Sequence, residues 1–149
     1  MTPDDLQTRI AIALTDAVTD LDWVTVAQDI RFTSGRAEVD CLVVLADGSE
    51  QWIESPDDAD DALRELRQIM ATPEQGVWFS AKATAVRGDT LRISYNYDER
   101  PAWDTEPDEV SVVEDLADNP RPWGEIPDWH PVRKKYDAHS WETFRASKA

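Results

Sequence analysis

Two runs of apolar residues at every second position, between Val77 and Tyr97, constrain the fold of this chain more than any other feature. Val77, Phe79, Ala81, Ala83 and Ala85 form the first run, Leu91, Ile93, Tyr95 and Tyr97 the second, and Gly88 and Asp89 separate them. Side chains on a strand point alternately to its two faces, so this pattern describes two half-buried strands joined by a turn.

The same period occurs upstream. From Trp23, residues Val24, Val26, Ile30 and Phe32 share one face, with Thr25, Asp29 and Arg31 on the other. After a turn at Ser34 and Gly35, residues Ala37, Val39, Cys41, Val43 and Leu45 alternate with Glu38 and Asp40. Leu42 and Val44 make the end of this strand apolar on both sides, so it is expected to be covered twice. Asp47-Gly48 is a strong hairpin signal, which returns Glu50 to Ile53 as a third strand.

Helical spacing fills the remainder. Thr2-Pro3-Asp4-Asp5 has an N-cap hydroxyl, a first-turn proline and acids at the positive dipole end, and Leu6, Ile10, Ala13, Leu14 and Ala17 form a stripe to about Val18. Ser55-Pro56-Asp57-Asp58 repeats that start, followed by Ala59, Ala62, Leu63, Leu66, Ile69 and Met70 until Pro73 and Gly76. A short helix over about Asp108 to Asp118 would turn Val110, Val113 and Leu116 or Ala117 inward. The tail, residues 130–149, can close over the sheet with a helix bearing Trp141 and Phe144. The order implies an α+β fold: a mainly antiparallel five-stranded sheet with helices packed on one face, in a single domain spanning 1–149.

Charge narrows the function. Asp and Glu number 31 against 15 Lys and Arg, a net charge of −16. Phosphate backbones are bound by cations that release counterions, so direct binding to nucleic acid is disfavoured and a basic protein is the natural complement. Cys41 is the only cysteine, which excludes an internal disulfide and fits a reducing compartment. With no basic leader and no long apolar run, the expected setting is the cytoplasm, with no membrane partner.

Catalytic chemistry has little to build on. One Cys with His130 and His139 is not a usual zinc set, and no phosphate-binding glycine loop or nucleophile elbow occurs. The cluster Asp57, Asp58, Asp60 and Asp61 suits a hard cation in charge but lacks the spacing and glycine of a calcium loop; acids at a helix start are the plainer reading. Glu114 and Asp115 are neighbours that point apart on a helix, as a solvated face would place them. Cys41 reads as a small core residue. The expectation is a non-enzyme with no cofactor and no metal, and a carboxylate-metal enzyme is the alternative of another class.

An ordered set of motifs lies between residues 60 and 130. Leu63 to Met70 leads to Gly76-Val77-Trp78-Phe79 and, through the hairpin, to Tyr97-Asp98. Pro101-Ala102-Trp103 and Pro107 follow, then Glu114-Asp115-Leu116, Pro120-Arg121 and Ile126-Pro127-Asp128-Trp129. In this order and spacing the segment resembles the YezG-like immunity (antitoxin) protein family. Asn119 departs from the pattern, standing where an aromatic precedes the Pro-Arg pair. The resemblance implies a small cytoplasmic protein that binds and neutralises a cognate secreted toxin, often a nuclease.

Residues 98–129 have a composition that fits this role, with 11 acids, two Arg and three of the seven Trp. An inhibitor can fill a basic active-site cleft with carboxylates and rigid aromatics. The candidate partner-binding residues are Asp98, Glu99, Trp103, Asp104, Glu106, Asp108 and Glu109, with Asp57, Asp58, Asp60 and Asp61 as second choice. A toxin that consumes NAD, or a general DNA mimic, would suit an acidic surface too. Architectural readings stand beside these: Tyr95, Trp78, Trp129 and Ile126 as core, Asp98 as a loop cap, Arg121 paired with an acid, and the acids as solubility charge.

Overall fold

A computed structural model describes residues 1–148. Its elements are α1 (Pro3–Ala17), β1 (Trp23–Thr33), β2 (Arg36–Leu45), β3 (Glu50–Ile53), α2 (Asp57–Ile69), β4 (Ser80–Val86), β5 (Arg92–Asn96), α3 (Glu109–Asp118), a 3-10 turn (Trp123–Glu125), α4 (Val132–Lys135) and α5 (Ala138–Lys148). All five strands form one antiparallel sheet in the order β3-β2-β1-β4-β5. The α+β architecture with five antiparallel strands is the one expected. Short turns make β1-β2-β3 a meander and β4-β5 a hairpin, and the two join through the long-range pairing of β1 with β4, from Thr25↔Val86 to Arg31↔Ser80.

Helices α1 and α2 cover one face. The Thr2 hydroxyl accepts from Asp5 N at 3.1 Å and the Asp5 carboxylate accepts from Thr2 N at 3.0 Å, a reciprocal cap that starts α1. Leu6, Ile10 and Leu14 from α1 and Ala59, Ala62, Leu63 and Leu66 from α2 pack on Val26, Ile30, Cys41, Val43, Ala81, Ala83 and Ala85. Each fully buried Leu, Ile or Val contributes roughly 1.5–3 kcal/mol by leaving water. Cys41 is buried in this core, as expected.

Several expectations fail for definable reasons. Ser55 does not cap α2: Pro56 occupies the cap position, and the Ser55 hydroxyl donates to Asp60 instead at 2.6 Å. Ile69 is 44% exposed, while Arg67, one turn beyond Leu63, takes the buried position. A register shift at the start of β1 turns Val24 outward. Leu42 and Val44 are half-buried on the second face, where no helix covers them; Trp52, in register with Leu42, is 69% exposed. Residues Val77 to Phe79 are buried yet precede β4, and Phe79 keeps its place by bonding Phe32 N and Asn96 O.

The C-terminal third builds a second core at the end of the sheet. Phe79, Leu116, Ile126, Val132 and Trp141 form it, with Val113, Trp123, Trp129, Tyr136 and Phe144 packed around them. The tail therefore folds, and α5 begins with a reciprocal cap between Asp137 and Ser140. Trp141 is fully buried and its indole donates to Arg121 O at 2.7 Å. Val110, expected inward, is exposed. The rotation of α3 instead buries Asp115, expected in a solvated face, because its carboxylate receives both terminal nitrogens of Arg67 at 2.9 and 2.7 Å. Arg67 Nε also donates to Trp78 O, so one guanidinium ties α2, the β4 lead-in and α3 together.

Candidate partner-binding surface

The loop carrying the first-choice residues leaves β5 at Asn96. The Asn96 side chain donates to Ser80 Oγ and to Glu99 O, and its oxygen accepts from the N–H groups of Asp98 and Glu99. Such side-chain turns hold a chain reversal without regular structure. Asn96, not Asp98, is thus the loop cap; Asp98 contributes its carbonyl, which accepts from the Trp129 indole at 2.7 Å.

The loop then crosses the second face of the sheet. Glu38 of β2 accepts from Asp104 N at 2.8 Å and from Thr105 N at 3.0 Å. Arg36 donates to Thr105 O at 2.7 Å and lies over the Trp103 ring, 5.2 Å from its centroid. Partial desolvation raises the Glu38 carboxyl, but the two loop N–H groups and Arg31 outweigh it and hold it below the usual carboxylate range. Arg31, nearly buried on this face, meets Asp40 at 2.8 Å, Glu38 at 3.2 Å and Asp104 at 3.9 Å.

This framework sorts the candidate residues. Asp98, Glu99 and Glu109 are exposed and make no ion pair among the described residues. Asp104 sits at the edge of the Arg31 cluster, Glu106 pairs with Arg100 at 2.9 Å, and Asp108 caps α3 by accepting from Ser111 N at 2.8 Å. Trp103 is half-buried under Arg36. The second-choice acids lie apart from these, at the start of α2. Asp58 pairs with Arg9 at 2.9 Å, and Asp60 accepts from Gln28 at 2.5 Å and Ser55 at 2.6 Å, leaving Asp57 and Asp61 exposed. Among the described residues no three His, Cys, Asp or Glu side chains converge as metal ligands.

A pocket of about 100 Å³ opens between the loop, α3 and the start of α4. Phe79, Trp103 and Trp129 line it together with Thr33 and His130, and Glu106, Glu109, Arg100 and Lys134 stand around it. His130 is 1% exposed and its Nδ1 accepts from Val132 N at 3.2 Å. Burial, and then the nearby Arg121 charge, push its pKa down to about 4, so the ring is neutral near pH 7.

Arg121, stacked on the pocket residue Phe79, joins three separate segments of the chain. Among the described residues it pairs with no acid, contrary to expectation. It donates instead to Val77 O at 2.9 Å, Tyr97 O at 2.6 Å and Glu125 O at 3.3 Å, with Phe79 stacked 4.4 Å away. Desolvation lowers its pKa from the ordinary arginine value, although Asp98 opposes the shift. Gly76 makes the joint possible: at φ +66°, a Cβ there would lie 2.7 Å from Asn119 O and 2.8 Å from Arg121 Cγ. Trp78 and Ile126 are core, and Trp129 and Tyr95 are partly buried against the two cores.

Sequence reasoning missed the residues that hold the loop. Asn96 had a readable signal, an amide two residues before an Asp at a strand end. Glu38, Arg31 and Arg36 had none, since they meet the loop from more than sixty positions away. No protein-family model matches the chain, and no curated protein matches it. No helix among the described residues is long and apolar enough to cross a membrane.

Proposed function

We propose that this protein is an immunity protein that binds a cognate toxin and neutralises it by covering a basic active-site cleft, in the first instance that of a nuclease. The observation that carries this reading is a loop with free carboxylates at Asp98 and Glu99, and Glu109 beside it, fastened to the sheet by Glu38, Arg36 and Asn96. A fastened loop loses little entropy on docking, so its charges are available at low cost to a cationic partner. The net charge of −16 steers such a partner toward the complex over distances on the order of the ~10 Å Debye length at 0.1 M salt. The ordered motifs of residues 60–130 support the same assignment.

Co-purification from the native cell identifies the partner, and assays of that partner on DNA, RNA and NAD identify what is being neutralised. Stoichiometric protein is expected to abolish the partner's activity. The triple variant Asp98→Asn, Glu99→Gln, Glu109→Gln should slow association about tenfold at low salt, whereas Asp57→Asn with Asp61→Asn should leave it unchanged. Full partner activity in the presence of excess protein would refute the reading.

A further inference from the structure

On one side the sheet ends at β3, whose only strand neighbour is β2. Leu45 N donates to Ser49 O at 2.9 Å at the mouth of their hairpin. Opposed residues in an antiparallel pair alternate between bonded and non-bonded, so that bond sets the phase of the ladder. Gln51 and Ile53 turn their N–H and C=O groups toward Val43 and Cys41. Those of Glu50 and Trp52 point outward, and no backbone group elsewhere among the described residues bonds them.

Such an edge pairs with a further strand unless Lys, Pro or a bulge blunts it. β5, at the opposite edge, carries Arg92 and runs into the Asn96 turn. β3 is short, yet Glu50–Ile53 contains none of these devices. It presents Trp52 instead, 69% exposed and the one exposed tryptophan of the seven. Its ring stands on the second face of the sheet beside half-buried Leu42.

Charge decides what can pair there. Between Arg36 and Arg64 the chain has no Lys or Arg. Glu50 and Glu54 are exposed and join no ion pair among the described residues, and Asp47 stands in the adjoining turn. A second copy of this chain would set the same acids against one another. A strand bearing Lys or Arg brings opposite charges to roughly 4.5–5.5 Å between Cβ atoms across the new ladder. A cation over the Trp52 ring adds a further attraction.

We propose that the outer edge of β3 receives an extended basic segment of a protein partner. The segment pairs with the main chain at Glu50 and Trp52 and lays its Lys or Arg side chains against Glu50, Glu54 and the Trp52 ring. Main-chain bonds supply the grip and alternate side chains the selectivity. The edge is separate from the loop of residues 98–109, so this site and the immunity reading fail independently.

Three heptapeptides, titrated into the intact protein and followed by NMR, test it. One alternates Lys and Val, the second is its fully N-methylated counterpart with the same side chains and charge, and the third alternates Glu and Val. The Lys-Val peptide is expected to bind at least about tenfold more tightly than the other two, because only it offers both the donors and the charge. It should shift the amides of residues 50–54 and the Trp52 indole, and slow hydrogen exchange at Trp52 N about tenfold. Glu50→Gln should weaken binding about threefold. Glu50→Pro should weaken it about tenfold or more, since it also removes an outward N–H at an edge position that tolerates proline. Trp52→Ala, expected to lose about tenfold, leaves the backbone intact and serves if Glu50→Pro does not fold. Equal binding of the Lys-Val and N-methylated peptides, shifts confined to residues 98–109, or undiminished binding in both Glu50→Pro and Trp52→Ala would overturn the proposal. So would sedimentation showing a dimer that Glu50→Pro dissociates, since a second copy would then hold the edge.

Discussion

Removing the carboxylate of Asp115 leaves the Arg67 guanidinium, 5% exposed, with Trp78 O as its remaining hydrogen-bond acceptor. Asp115→Ala is expected to cost about 3–5 kcal/mol in urea denaturation, since an uncompensated buried charge is the expensive outcome. The double variant Arg67→Met, Asp115→Leu should recover much of that loss. Gly76→Ala strains a positive-φ backbone and drives a methyl into Asn119 O, so a loss of roughly 1–3 kcal/mol is expected in the same assay. His130 governs a pH effect. Its folded pKa of about 4 lies below the ordinary 6.5, so its contribution is whole above pH 6.5. It is lost as pH falls from 6.5 toward 4, because the unfolded chain takes up the proton first. The decline should total about 3 kcal/mol, and His130→Phe should flatten it. At this scale the sequence was legible only in part. Arg67 falls on the apolar stripe of its helix, four residues after Leu63, and that position signals burial. Asp115 gave no such sign, because its partner is 48 positions away.

Helix and strand identities were readable because period and turn chemistry are local. The α1 cap, the Asp47-Gly48 turn and the Gly88-Asp89 turn all act within a few residues, and the elements they bound are of the kind expected, although β4 begins at Ser80 and not at Val77. Val24 and Val110 were placed on the wrong side because a bulge and a helix rotation are set by tertiary partners. The candidate loop shows the same division. Its acids and its tryptophan were visible, but not the side chains that fasten it. Asp108→Ala should cost about 1 kcal/mol by removing the α3 cap. Glu38→Ala should raise hydrogen exchange at Asp104 N and Thr105 N about tenfold or more, corresponding to the ~1–3 kcal/mol of losing a bond to a charged acceptor. Unchanged protection in that variant would show the loop to be held by other means.

Across the whole molecule, the net charge of −16 opposes contact between copies, while Trp52, Leu42 and Val44 lie on a sheet face that no helix among the described residues covers. Near the pI of about 4.3 that repulsion vanishes, and turbidity should rise; Trp52→Lys should reduce it. The antiparallel, five-stranded character of the sheet followed from its hairpins, but its strand order did not. That order has a further consequence during synthesis. The meander from Trp23 to Ile53 can assemble as soon as it emerges, yet its first strand becomes the central one, and its free edge finds no mate until Ser80 to Val86 have been translated. Throughout that interval the nascent chain carries an open hydrogen-bonding border beside Val26 and Ile30, so a ribosome pausing between those two points would leave the chain most vulnerable to sticking to its neighbours.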